Sequence, residues 1–246
     1  MPYDDRYVAY MDILGFRSLV QRIPSEPGLY DEAVGAFNQL ETRLPVDLAP
    51  EKCDFRQQII SDGIVMSSDN TSAGLEFLVF AIEQLSIALL TLGMFTRGGL
   101  AKGKLHHDDK VIFGEGFLEA YFLESEIAKY PRIIVGRTVY DDMSDFSTSG
   151  DVVLQPHIRH ADDGPAFVHV LHSLANPPTE SCSIGESKVE EEIRRHLQVN
   201  IFAEMHVPRH FEKVRWFANY WNSVAAEQTP PLLGQVQLPP SKMPYG

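Results

Sequence analysis

Asp12 closes an otherwise apolar run, Tyr7-Val8-Ala9-Tyr10-Met11-Asp12-Ile13-Leu14-Gly15-Phe16. A carboxylate at the end of a buried strand is costly unless something pairs with it. Two roles fit the position. Asp12 can cap the helix expected over residues 15–20, or it can hold a cation beside backbone N–H groups that bind phosphate. A second carboxylate, Asp62, lies fifty positions on in Ser61-Asp62-Gly63. It falls between two short β-prone runs, 55–61 and 64–67, with the hairpin signal at Asp62-Gly63.

The elements between these aspartates decide whether they meet. The first strand is followed by an amphipathic helix over about 28–44, marked by Tyr30, Ala33, Val34, Phe37, Leu40 and Leu44 and ended by Pro45 and Pro50. After the hairpin, Leu75, Leu78, Val79, Ile82, Leu85 and Leu89 mark a second helix. A glycine-punctured strand is expected over 95–105, a return strand over 110–113, a helix over 117–129 and a strand over 132–135. This order is the split βαβ arrangement of ferredoxin-like and palm folds, an α+β class with an antiparallel sheet. In it the first strand lies antiparallel to the third, which makes Asp12 and Asp62 neighbours. Two carboxylates about 4 Å apart repel by roughly 4 kcal/mol at an effective dielectric near 20. The pair is tolerable when one is protonated, or when divalent cations sit between them.

The chain of 246 residues is long enough for one large domain or a domain with an appendage. With 44% apolar and 22% charged residues it reads as an ordinary globular protein. A net charge of −13 argues against a nucleic-acid partner. No window resembles a signal peptide. The apolar stretch 77–95 contains Glu83-Gln84 and reads as a core helix, so no membrane partner is expected. Two cysteines, Cys53 and Cys182, far apart, fit a reduced cytoplasmic setting. Beyond residue 150, strands are expected over 151–157 and 166–171, a Pro/Ser/Thr loop over 176–185, and two closing helices. Val189, Ile193, Leu197 and Ile201 form the stripe of one; Phe211, Val214, Phe217, Ala218, Trp221 and Val224 form that of the other. Trp216 and Tyr220 lie off it. The expected division is 1–175 for the α+β domain, 186–226 for the helical addition and 227–246 for a Pro-rich, extended or disordered tail.

With both aspartates placed, the chain resembles the class III nucleotidyl cyclases over about residues 6–136. Tyr10-Met11-Asp12-Ile13-Leu14-Gly15-Phe16 looks like their first metal motif and Ser61-Asp62-Gly63 like their second. Arg97-Gly98-Gly99-Leu100-Ala101-Lys102-Gly103, followed by Gly114 and Ala120, looks like their Arg-x-Gly-hydrophobic-x-x-Gly strand and the Gly-to-Ala helix entry. The resemblance implies attack of a nucleoside triphosphate's 3′-hydroxyl on its own α-phosphate, expelling pyrophosphate. Two divalent cations, Mn²⁺ or Mg²⁺, would activate the hydroxyl and neutralise the leaving phosphates. Asp12, Asp62 and the Ile13 carbonyl would ligate them. Amides from Leu14 through Gly15 and Phe16 to Arg17 would hold the triphosphate. The family's sites form between protomers, so a homodimer with shared sites follows.

The departures carry information too. Purine cyclases have a Lys where this chain has Gln58, a polar base reader where it has Val111, and an Asn and an Arg where it has Leu118 and Phe122. This pattern is similar to the pyrimidine cyclases of bacterial Pycsar anti-phage systems, whose cyclic UMP or cyclic CMP activates a downstream effector. The resemblance favours UTP over CTP as substrate, and Phe117, Tyr121 and Phe122 would narrow a pocket toward a single-ring base. Arg97 can replace the missing transition-state cation or merely tie a dimer interface; Lys102 and Lys104 can do the former or be plain solvated charges. The rival reading is an inactive, nucleotide-binding cyclase-like regulator. A diguanylate cyclase or palm polymerase is disfavoured, because no GGDEF-type motif occurs. His106-His107-Asp108-Asp109 sits at an expected hairpin tip, Pro208 separates His206 from His210, and Gly114-Glu115-Gly116 lacks the remainder of a dinucleotide fingerprint.

Overall fold

A computed structural model describes residues 3–43, 53–177, 184–227 and 234–239. Pro45, Pro50, residues 178–183 of the expected loop and most of the Pro-rich tail lie outside the described residues. The described residues fall into two compact units, one of residues 1–89 and 94–170, the other of 90–93 and 171–246.

The first unit is built on β1 (Asp4–Leu14), β2 (Arg56–Ile60), β3 (Gly63–Asp69) and β4 (Phe95–His107), in the spatial order β2-β3-β1-β4. β1 runs antiparallel to both β3 and β4. This is the split βαβ order read from the sequence, with α1 (Phe16–Arg22), α2 (Leu29–Arg43) and α3 (Ser72–Thr91) in the connections. β6 (Ile133–Val135) extends the sheet parallel to β4, and β8 (Ala166–Val168) and β7 (Ile158–His160) complete it. β5 (Ile112–Phe113) pairs with the far end of β4.

Alternation along β1 sends Tyr7, Ala9, Met11 and Ile13 to one face and Arg6, Val8, Tyr10 and Asp12 to the other. On the second face, Val8, Val65, Ala101 and Leu105 pack beneath Ala120 and Leu123, with Tyr10 and Phe117 at the edge of that core. α3 has the length and apolar composition of a membrane span, but Leu75, Phe77, Leu78, Val79, Ile82 and Leu85 are fully buried, as in a core helix.

Four local expectations are corrected. The β2–β3 turn is Ser61-Asp62, with Gly63 paired to Ile60; Ser61 takes the left-handed conformation, φ 58°, where glycine was expected to serve. The helix expected over 117–129 is α4 (Glu115–Phe122), which widens into a π-turn over Leu123–Ile127. The strand expected over 151–157 is instead a 3₁₀ turn, Gln155–His157, because Pro156 removes a ladder donor and suits a helical first turn. The strand expected over 166–171 ends at Val168. Of the longer helices, α5 (Arg137–Ser149) was not anticipated; its short polar residues hide a buried stripe of Val139 and Met143.

In the second unit, α6 (His172–Ala175) precedes α7 (Ile184–Ala203) and α8 (Pro208–Ala226). Ile193, Leu197 and Ile201 are buried on α7, and Val214, Phe217, Ala218, Trp221 and Val224 on α8. Tyr220 is also buried, and its hydroxyl accepts a bond from the Leu171 amide at 3.3 Å. The tail at 234–239 has no regular structure but is pinned to both helices. Asn222 bonds both the N–H (2.7 Å) and the C=O (2.9 Å) of Val236, and Trp221 Nε1 donates to the Gly234 carbonyl at 2.7 Å.

Candidate active site

The carboxyl end of β1 carries the candidate site. The sheet register sets Asp12 opposite Gly63 of β3 on one side and Arg97 of β4 on the other. The Ile13 amide donates to the Asp62 carbonyl at 2.9 Å, tying the β2–β3 turn to the residue after Asp12. Asp62 is exposed at the tip of that turn and Asp12 is partly exposed. The left-handed Ser61 stores backbone strain beside this carboxylate.

Arg97 does not project freely from the sheet. Its Nη2 lies 3.4 Å from Asp12 Oδ2 and forms a closer ion pair with Glu124 Oε1. The Arg97 Nε is buried with no hydrogen-bond partner among the described residues. Glu124 is 4% exposed and belongs to the π-turn at the end of α4, a distortion that recurs at functional sites. Gly99 permits this approach: a Cβ there would lie 2.4 Å from the Ala120 carbonyl oxygen and 2.5 Å from Leu123 Cβ. No side chain larger than hydrogen lets the end of α4 settle so close to β4, two residues from Arg97. Sequence reasoning missed Glu124; a carboxylate one turn after the Gly-to-Ala helix entry was the only signal available.

Tyr10 forms the wall next to Asp12. Its ring meets Phe117 edge-on at 5.7 Å and Tyr121 at 5.3 Å between centroids. Burial pushes its phenol above the ordinary range, and the nearby carboxylates of Glu124, Asp12 and Asp62 add to the effect. One hydroxyl thus senses three carboxylates at once, an anionic end of the sheet. Gln58 pairs with Val65, which pairs with Tyr10, so it shares their face. Its Oε1 is buried without a hydrogen-bond partner among the described residues, an unusual state for a side-chain carbonyl.

The other expected site residues divide. Gly15, at φ 92°, turns the chain from β1 into α1, and Arg17 is exposed just beyond the half-buried Phe16. Phe122 and Leu118 are 49% and 65% exposed on α4. Lys102 is a correction. It stands five positions after Arg97 on an unbroken strand and therefore faces the opposite side of the sheet. There its Nζ bonds Asp142 Oδ2 at 2.7 Å, and the Tyr7 hydroxyl donates to the same oxygen at 2.8 Å. Lys104 has the same parity and cannot join Asp12 either.

Among the described residues no group of three or more His, Cys, Asp or Glu side chains is arranged as a ready metal cage. Two carboxylates and the Ile13 carbonyl are nonetheless hard oxygen donors of the kind Mg²⁺ and Mn²⁺ take, with remaining positions left to water and phosphate. The negative environment around Tyr10 is one that such ions would neutralise. The donor set fits.

No family model and no curated protein matches the chain. Solved structures do resemble it, among them the following three. A class III adenylyl cyclase-like ATP-binding protein from Pseudomonas aeruginosa aligns at 14% identity and TM-score 0.37, over 56% of this chain but only 34% of its own. The guanylyl cyclase Cya2 aligns at 14% identity and TM-score 0.38, covering 68% of this chain and 91% of that one. An adenylate/guanylate cyclase/hydrolase from Silicibacter pomeroyi aligns at 16% identity and TM-score 0.40, covering 68% and 95%. Likenesses this distant leave the functional argument to the chain's own residues.

Proposed function

We propose that this chain is a nucleotidyl cyclase that converts a pyrimidine nucleoside triphosphate, UTP before CTP, to its 3′,5′-cyclic monophosphate and pyrophosphate. The observation that carries the reading is the meeting of Asp12 with the Ser61-Asp62 turn at the carboxyl end of β1, on a palm sheet of split βαβ order. Asp12, Asp62 and the Ile13 carbonyl would hold Mn²⁺ or Mg²⁺, which when bound acidify the 3′-hydroxyl and offset phosphate charge.

The chain's own residues do the rest. The Gly15 turn presents the amides of Phe16 and Arg17 beside Asp12, and the exposed Arg17 guanidinium adds charge for the triphosphate. Arg97, 3.4 Å from Asp12, supplies a cation on this face. The Gln58 amide can donate and accept together, which matches the edge of uracil or, flipped, that of cytosine. Tyr10, Phe117 and Tyr121 form an aromatic wall that suits one ring better than two. The exposed apolar side chains Phe113, Leu118, Tyr121 and Phe122 would be covered in a homodimer with shared sites. A role for the product as a messenger to an anti-phage effector in the cytoplasm rests on the sequence resemblance.

The test is direct. The full chain is incubated with Mn²⁺ and each of the four triphosphates, and products are separated by mass. Cyclic UMP or cyclic CMP that disappears with Asp62→Ala is the expected result; Phe117→Ala should then admit ATP or GTP. A second reading, a nucleotide-binding regulator without turnover, is favoured by Leu118 and Phe122 and by the Arg97 contact to Asp12. Binding of nucleotide without any cyclic product would establish it over the first.

A further inference from the structure

The guanidinium of Arg97 lies between two carboxylates with unequal claims on it. The register of β1 and β4 makes Asp12 its direct cross-strand partner, so an unopposed Arg97 would close on Asp12 in the usual short, two-pronged contact. It does not. The Asp12 contact is stretched to 3.4 Å while the closer ion pair goes to Glu124. The side chain of Glu124 is 5% exposed against 24% for Asp12, so its charge is less screened and holds the cation more strongly. Glu124 reaches this place only because the π-turn over Leu123–Ile127 rests on Gly99. Several features of the chain therefore converge on keeping one carboxylate next to Arg97.

We propose that Glu124 is a positioning residue that draws Arg97 away from Asp12 and so keeps Asp12 open to a divalent cation. The proposal rests on the metal-dependent reading of Asp12 and Asp62 given above. Arg97 and the metal ion compete for the same carboxylate. Glu124 sets the outcome by giving the guanidinium a second, better-buried anion. When the ion binds, Arg97 stays on Glu124 within reach of the substrate phosphates; when Glu124 is neutral, Arg97 closes on Asp12 as a built-in competitor.

The experiment is Mn²⁺ titration of the full chain by calorimetry, without nucleotide, alongside circular dichroism to monitor folding. Glu124→Gln, nearly isosteric and uncharged, should weaken Mn²⁺ binding about tenfold, the lower end of what outer-shell partners of metal ligands contribute. Glu124→Asp should recover part of that loss. The double variant Glu124→Gln/Arg97→Gln, which removes anion and competitor together, should bind Mn²⁺ at least as tightly as the parent chain. A folded Glu124→Gln with parental affinity overturns the proposal. So does a double variant that binds as weakly as Glu124→Gln, since Glu124 would then be a ligand. If Glu124→Gln does not fold, the double variant alone decides. A parent chain that binds no Mn²⁺ removes the metal reading beneath the proposal and is distinguished by failing before any substitution is made.

Discussion

The same face of β1 and β4 carries a charged network at each end, and the two are built on opposite balances. At the far end, Arg6 bonds Ser67 Oγ at 3.2 Å and Asp54 Oδ2 at 2.7 Å. Arg56 grips the same Asp54 at 2.8–2.9 Å and donates to the His107 carbonyl. His107 Nδ1 sits 2.8 Å from Ser67 Oγ, both residues fully buried. Two guanidiniums, one carboxylate and a neutral imidazole satisfy one another there; the Ser–His pair resembles a nucleophile and base but no substrate can reach it. At the near end, Asp12 and Glu124 flank one guanidinium, and the Tyr10 phenol feels both of them together with Asp62. A network in which two cations share one carboxylate and every member has a partner ties strands together. The near end has the opposite excess, of carboxylates over guanidinium, and that excess is what the metal-dependent proposal rests on.

The largest effect should come from the near end. Asp62→Ala, and likewise Asp12→Asn, should lower cyclisation by about a thousandfold, roughly 4 kcal/mol of transition-state stabilisation. Stability in urea should change by less than about 1 kcal/mol, because relieving repulsion offsets lost contacts. Activity retained above a tenth would break the contrast between the two ends.

Arg6→Ala at the far end should do the reverse. It removes a buried guanidinium and its bonds to Ser67 and Asp54, which Arg56 still holds, and should cost roughly 2 kcal/mol of stability while Mn²⁺ affinity stays parental. Burial, with the nearby charges of Arg6 and Arg56, pulls the His107 imidazole down to about 4. His107 is therefore neutral in the fold across the range where an unfolded chain takes up its proton. As pH falls from about 6.5 toward 4, the unfolded state gains the proton first, and stability should drop by on the order of 3 kcal/mol. Below that window this group costs nothing more. Urea midpoints at pH 7, 5.5 and 4, compared with those of His107→Asn, check the sign. The smallest effect is expected at Ser61→Gly, which should relieve the left-handed backbone by up to about 1 kcal/mol. A gain in stability with lost activity would mean that the strain holds Asp62 in place.

Much of this was legible in the sequence. The unbroken apolar run into Asp12, the hairpin at Asp62 and the alternating order of strands and helices determine which strand lies beside which, and so which aspartates share an end of the sheet. The side of the sheet taken by Lys102 was legible too, since on an unbroken strand only an even offset from Arg97 returns a side chain to the same face, and Lys102 stands at an odd one. The helix at Arg137–Ser149 was missed because Asp and Ser outnumber its two buried apolar residues.

The partner of Arg97 could not be read this way. Residue periodicity is set by neighbours along the chain, whereas charge balance at a point in space sums contributions from residues remote in sequence. The sequence alone determined the sheet order and brought two carboxylates to one end of β1. Only the packing of a widened helical turn against Gly99 decided that Glu124 would join them, because that approach depends on hydrogen being the largest group the gap admits.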